Sequence, residues 1–278
     1  MVVRPRLVVT DLDGTLIRAD LSVSAYSRSV VDRARDLGVP VVAASARQPY
    51  GMVDICAAAG CSPWMVCSNG AVVLHRDDRT VLHEALLGSG VQREVIDVLS
   101  RAVPGTEFVT VADGGATFRT TPGYPAMAGF RDHHRDPAQM ATGPIDELTD
   151  RPVLKLIARH REVGPPELAE RLAGQDDVVV TWSGTPMIEI SAPGATKAVG
   201  MAVVAEHLGV DLTEVVAYGD GANDLAMLQA AGLGVGMPGG DPSLVGVVDQ
   251  TAPANSEDDG MTRHLAGLLG LEERSAVT

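Results

Sequence analysis

Apolar residues in the first third of the chain alternate between two spacings, and that alternation predicts the fold. Leu7-Val8-Val9-Thr10 is a nearly continuous apolar run of strand length. Val23, Tyr26, Val30, Ala34 and Leu37 then recur at helical spacing, and Gly38 stands where a left-handed residue would end the helix. Val39 to Ala44 predicts a second strand, Pro49 opens a helix that closes near Gly60, and Trp64 to Cys67 predicts a third strand. Strands that are apolar on both sides predict a parallel sheet covered by helices.

Beyond Asn69-Gly70 the rhythm changes. Val72-Val73-Leu74 and Thr80-Val81-Leu82 flank Arg76-Asp77-Asp78 as a hairpin. From about Ser89 the pattern reads helix (Val91, Val95, Val98, Leu99), strand (Glu107 to Val111), strand (Ala116 to Arg119), then an irregular stretch from Gly123 to Pro144. A strand from Val153, a helix at Pro166 to Leu172, and strands at Val178 to Trp182 and Met187 to Ile190 complete a second helix-strand-strand unit. The parallel rhythm resumes at Thr196 with a helix to Leu208, a strand at Val215 to Tyr218, a helix at Asp224 to Ala231 and a strand at Leu233 to Met237. The expected architecture is α/β, with core residues 1–85 and 191–278 interrupted by an inserted α+β domain at 86–190.

Composition narrows the function classes. Hydrophobic residues make up 45% and charged residues 21% of the 278, a globular balance, and no apolar run is long enough to span a bilayer. The first residues lead straight into Leu7 without the regions of a signal peptide, so a cytoplasmic location is expected. A formal net charge of -14 disfavours nucleic acid and anionic membranes as partners, while a small phosphorylated ligand remains compatible if a cation neutralises it locally. Oligomeric state is not encoded in these features. Cys56, Cys61 and Cys67 lack histidines at metal-ligand spacing and read as reduced core thiols.

The chemistry concentrates at strand ends. Asp11-Leu12-Asp13-Gly14-Thr15 follows the first apolar strand, and two carboxylates at this spacing call for a cation, met by Mg²⁺. Asp11 can then serve as nucleophile and Asp13 as proton donor and acceptor. Gly219-Asp220-Gly221-Ala222-Asn223-Asp224 follows a second strand, with Asp220 placed as a metal ligand and Asp224 as its support. Helix capping by Asn223 or Asp224 is the plainer alternative. Ser45, with the neighbouring backbone donor of Ala46, can meet a phosphate oxygen. Lys197 sits at a helix start, where a cation is unfavourable unless an anion lies beside it.

This ordered set resembles the haloacid dehalogenase superfamily, specifically the Cof-type phosphatases, which implies a Rossmann-like parallel-sheet core with an inserted α+β cap of the C2B type. The resemblance spans nearly the whole chain and includes Ser68-Asn69-Gly70-Ala71 and Glu257-Asp258-Asp259-Gly260. It implies Asp11 as nucleophile and Asp13 as general acid/base. Asp11, the Asp13 carbonyl and Asp220 would bind Mg²⁺, supported by Asp224, while Ser45, Lys197, Asn223 and the Leu12 amide would hold phosphate. The implied activity is hydrolysis of small phosphorylated metabolites through an aspartyl-phosphate. Ser45-Ala46-Arg47 replaces the family's usual Thr-Gly-Arg, and Met237-Pro238-Gly239-Gly240 replaces Met-Gly-Asn-Ala. Three alternatives stand beside this reading: a phosphosugar mutase using the same intermediate, a non-catalytic phosphometabolite sensor, and a dinucleotide-binding oxidoreductase suggested by the G-x-G-x-x-G spacing from Gly234 to Gly239.

Overall fold

The computed structural model describes residues 5–133, 136–182 and 185–271. Among these, two compact units are distinguished, one from the described residues of 5–47, 52–83 and 196–271, the other from those of 48–51 and 84–195.

The chain begins with β1 (Leu7–Thr10), α1 (Ala25–Asp36), β2 (Val41–Ala44), α2 (Pro49–Ala59) and β3 (Trp64–Cys67). β4 (Val72–His75) and β5 (Val81–Glu84) follow as the hairpin. All four residues of β1 and of β2 are buried, as strands covered on both faces must be. β2 starts at Val41 rather than Val39, because the Val39 amide closes the end of α1 by donating to the Ala34 carbonyl. In α1, Val30, Val31 and Ala34 are buried, but Tyr26 and Leu37 of the expected stripe are exposed. Ser24 caps the helix by accepting from the Ser27 amide, and the Tyr26 ring lies 5.2 Å from the Arg263 guanidinium.

The second unit contains α3 (Ser89–Ala102), β6 (Glu107–Ala112), β7 (Thr117–Thr120), α4 (Phe130–His133), β8 (Ala141–Thr142), α5 (Ile145–Leu148), β9 (Lys155–Arg159), α6 (Pro165–Glu170), β10 (Val179–Thr181) and β11 (Ile188–Ser191). Its strands form a six-stranded sheet in the order β10-β11-β9-β6-β7-β8. One face packs on α3 and α6 through Phe108, Leu156, Ala158, Ile188 and Ile190 against Val95, Leu99 and Leu168. The other carries Val109, Val111, Phe118 and Ile157, packed with Tyr124, Met140 and Met187. The stretch from Gly123 to Pro144, read from sequence as irregular, therefore contributes core: Tyr124 is fully buried and hydrogen-bonds His133 at 2.7 Å.

The first unit is completed by α7 (Lys197–Leu208), β12 (Val215–Gly219), α8 (Leu225–Ala230), β13 (Leu233–Gly236), β14 (Gln250–Thr251) and α9 (Gly260–Leu269). Its eight-stranded sheet runs β14-β13-β12-β1-β2-β3-β4-β5, parallel from β14 to β3 and antiparallel between β3 and β4. Leu7, Val9, Val42, Val66 and Val215 pack on one face against Met201, Val204 and Met227. Strand order reverses at β1, which pairs with β2 on one side and β12 on the other. In sheets of this kind the carboxyl ends of the strands at such a reversal form the ligand crevice.

No helix among the described residues is long and apolar enough to cross a membrane. Cys56, Cys61 and Cys67 are free and buried. The dinucleotide-binding reading fails: Gly234 and Gly236 lie in β13, and a turn and the short helical turn Pro242–Leu244 follow, where that motif requires a helix N-terminus to receive phosphate.

Candidate active site

β1 and β12 run parallel, with Thr10 opposite Tyr218, so the two acidic segments leave the sheet side by side. The Asp11 amide donates to the Tyr218 carbonyl at 2.9 Å, which extends the strand pairing up to the first carboxylate. The chain then turns tightly: the amides of Thr15, Leu16 and Ile17 all point at the Leu12 carbonyl. Gly14 has φ +77, and a Cβ there would stand 2.2 Å from a carboxylate oxygen of Asp220. Glycine is required at this point by both conformation and space.

Lys197 joins the carboxylates. Its Nζ donates to Asp11 Oδ1 and to Asp224 Oδ1, each at 2.6 Å, and its side chain is 1% exposed. Burial opposes the charge on Lys197, but Asp11 and Asp224 hold it protonated, above the usual lysine range. This answers the cation at a helix start: Thr196 caps α7 by accepting from the Val199 amide, and the lysine's charge is spent on two carboxylates. The second oxygen of Asp224 accepts from the amides of Asp220 and Gly221, at 3.1 and 2.9 Å. One Asp224 side chain therefore both accepts from Lys197 and ties down the amides at the start of the second acidic loop.

Asp11, Asp220 and Asp224 can each bring one oxygen within 4.8 Å of the others. Burial, together with the charges of Asp224 and Asp220, pushes Asp11 well above the ordinary carboxylate range against the pull of Lys197. Asp220 is raised by burial and by Asp224. Three carboxylates meeting one ammonium leave a negative excess that a divalent cation would offset, and an all-oxygen donor set is the kind Mg²⁺ favours.

The remaining expected residues fall around this group. Ser45 is buried at the end of β2, its Oγ accepting from the Arg47 amide at 3.1 Å, which leaves the hydroxyl proton available to an anion. Ala46 lies between them, half-buried. Leu12 is fully buried, and Asn223 donates through Nδ2 to Asn69 Oδ1 at 3.0 Å. Asp13 projects outward, 50% exposed, and the Arg47 guanidinium holds it by a fork, Nε to Oδ2 at 2.7 Å and Nη2 to Oδ1 at 2.6 Å.

Sequence reasoning gave no role to Arg47, Asn69 or Thr15. Thr15 Oγ1 donates to Asp220 Oδ1 at 3.3 Å and is a member of the first acidic motif. Arg47 stands two residues after Ser45, and Asn69 lies in the Ser68-Asn69-Gly70-Ala71 motif. Membership in those motifs was the signal. The segment Met237-Pro238-Gly239-Gly240 closes on the second acidic loop: the Asp241 amide donates to the Asp220 carbonyl at 2.7 Å, and a Cβ on Gly240 would lie 2.7 Å from that oxygen. In the late acidic motif, Glu257 accepts from the Ala19 amide, and Asp259 accepts from Arg18 and Ser27. The motif thus braces the chain just beyond the Asp13 loop.

Comparison with known proteins gives a consistent result. A family profile described as haloacid dehalogenase-like hydrolase matches residues 8–265. The 5-amino-6-(5-phospho-D-ribitylamino)uracil phosphatase YitU of Bacillus subtilis (strain 168) is 25% identical, covering 98% of this chain and 100% of its own. The HMP-PP phosphatase of Yersinia pseudotuberculosis serotype O:1b (strain IP 31758) is 25% identical over 86% of each chain. A solved subclass IIB sugar phosphatase, BT4131, has the same fold, with a TM-score of 0.79 at 19% identity over 95% of this chain and 99% of the other.

Proposed function

We propose, from the premise that the chain belongs to the haloacid dehalogenase-like hydrolase family, that it is a Mg²⁺-dependent phosphatase of small phosphorylated metabolites, sugar phosphates or compounds like them. The observation that carries this reading is the buried Asp11 at the end of β1, bound to Lys197 and within reach of Asp220 and Asp224. The named relatives are phosphatases, which supports hydrolysis over phosphoryl return to a sugar, the mutase alternative.

In this mechanism an Asp11 oxygen attacks phosphorus in line with the ester oxygen. The new bond forms an aspartyl-phosphate as the bond to the leaving oxygen breaks, and Asp13 gives that oxygen its proton. Asp13 then takes a proton from the water that cleaves the acyl phosphate, releasing phosphate and restoring Asp11. Lys197, the Ser45 hydroxyl, Asn223 and the amides of Leu12 and Ala46 hold the phosphoryl oxygens. Asp11, the Asp13 carbonyl and Asp220 would hold Mg²⁺, with Asp224 supporting; when bound, the ion supplies charge neutralisation between carboxylate and phosphate. Lys197 keeps Asp11 fixed in the absence of substrate. A purely sensing role would not need Asp13 as well as Asp11.

The test is a panel of sugar phosphates, nucleotides and phosphorylated cofactors assayed for inorganic phosphate with Mg²⁺ and without a bisphosphate activator. Phosphate release from at least one sugar phosphate is expected. Undiminished turnover in excess chelator would remove the metal from the scheme, and dependence on a bisphosphate would favour the mutase.

A further inference from the structure

β3 and β4 are joined by Ser68-Asn69-Gly70-Ala71, whose first three residues have φ of +51, +56 and +93, between the pair Cys67 and Val72. In the second unit β6 and β7 are joined by Asp113-Gly114-Gly115-Ala116, whose first three residues have φ of +52, +62 and +88, between Ala112 and Thr117. Each turn is closed by the same bond, from the amide of Ala71 to the Ser68 carbonyl and from that of Ala116 to the Asp113 carbonyl, both 3.1 Å. The backbone is the same, so the turn itself is satisfied by glycine at its centre. Asparagine tolerates the left-handed region better than most residues, yet still carries a conformational cost that glycine does not. The presence of Asn69 therefore calls for a contact made by its side chain.

That contact is with the proposed site. Asn69 is 5% exposed, and its Oδ1 accepts from Asn223 Nδ2 across 154 positions of sequence. The turn is anchored where it stands: the Ser68 amide donates to the Arg47 carbonyl and the Asn69 amide to the Ser45 carbonyl. Gly70 passes so close to the Thr196 carbonyl, immediately before Lys197, that a Cβ would come within 2.0 Å. One short turn thus touches the segments carrying Ser45, Lys197 and Asn223.

We propose that Asn69 is a positioning residue for phosphate recognition, holding the Asn223 amide so that its NH₂ group, rather than its carbonyl, faces the phosphoryl oxygens. An amide has two chemically different ends of the same shape, and only the donor end attracts an anion. With its carbonyl aimed at Asn223, Asn69 accepts one N–H and leaves the other for phosphate. The inference rests on the reading of Asn223 as a phosphate ligand.

The experiment measures inhibition by inorganic phosphate, with KM and kcat for p-nitrophenyl phosphate, at saturating Mg²⁺. Asn69→Gly gives the core the central residue of the other turn, so it removes the side-chain contact while keeping a residue the left-handed backbone accepts. Its phosphate inhibition constant and KM should rise about tenfold, the scale of one hydrogen bond to a charged group. Asn69→Ala removes the same acceptor without adding charge beside the anion, so it should show the same rise, and it serves as the second probe if the glycine variant does not fold. In an Asn223→Ala background, Asn69→Gly should have no further effect. Equal losses in both backgrounds, or unchanged phosphate affinity in Asn69→Gly alone, would overturn the role of Asn69. Wild-type affinity in Asn223→Ala would instead remove the phosphate role of Asn223 and the reading beneath it.

Discussion

Each unit buries one lysine almost completely, and the two are used differently. Lys155 and Lys197 are both 1% exposed. Lys155 lies on β9 and meets Glu189 diagonally on the neighbouring β11, Nζ to Oε1 at 2.5 Å. That pair adds no net charge to the second unit. Lys197 meets Asp11 and Asp224 with Asp220 in reach, so the first unit keeps a negative excess at the mouth of its sheet. Burying ions is expensive, and an arrangement that leaves charge unmatched persists where a ligand completes it. The lesson is that burial of a charge alone does not set a candidate site apart, whereas imbalance at a strand end does.

Replacing the residues on each side separates the two cases. Asp11→Asn should abolish the phosphoenzyme and lower kcat by roughly four or more orders of magnitude, since the nucleophile is gone. Labelled phosphate trapped on that variant would break the assignment. Lys197→Met should lower phosphatase activity by roughly 10²-fold or more, by leaving charge that developed at the phosphoryl group without a cation. Lys155→Met should act on folding instead, lowering stability by removing the cation of a partly buried ion pair, while kcat for p-nitrophenyl phosphate stays within about threefold. Chemical denaturation and steady-state kinetics on the same preparations distinguish these outcomes; loss of turnover at unchanged stability in Lys155→Met would erase the contrast.

Asp13 sharpens the comparison because it is exposed and already forked to Arg47. General acid catalysis contributes about 10²- to 10⁴-fold. Asp13→Asn should slow leaving-group release from a sugar phosphate by that order in a single turnover, and release of p-nitrophenolate far less, because that group departs unprotonated. Equal losses would mean that Asp13 acts through the metal or the loop.

A smaller effect compares two tyrosine–histidine pairs, Tyr124 with His133 and Tyr218 with His264. Burial holds His264 below its ordinary value. The unfolded state therefore binds the proton more readily, so this residue's contribution is present above about pH 6.5 and is lost as pH falls through the depressed folded value. Unfolding free energies measured across that window should rise with pH, and His264→Gln should flatten the slope.

The core was legible where one physical demand dominated. Leu7 to Thr10 and Val215 to Tyr218 read as strands because every position is buried, and the acidic motifs stood at their ends. Lys197 was legible as an anomaly of charge against the helix dipole. The stretch around Tyr124 was not, because its buried residues are spaced by tertiary packing rather than by a helical or strand period. β14 and α9 went unread: β14 is two exposed residues long, and the stripe Met261, Leu265 and Ala266 occupies one short helix. Arg47 and Asn69 act through partners far away in sequence, Asp13 and Asn223, which no local pattern discloses.

The placement of β1 between β2 and β12 has a consequence for how the protein is made. Asp11 waits for Lys197, 186 residues later, and Thr15 for Asp220, 205 residues later. At ordinary rates of synthesis that interval lasts roughly 10 to 40 s. Throughout it a nascent chain carries Asp11 without its lysine, and an apolar strand with one edge unpaired. Such a chain is prone to strand-to-strand association, and the order of translation makes β12 the element that pairs the open edge of β1 and brings Asp220 beside Asp11.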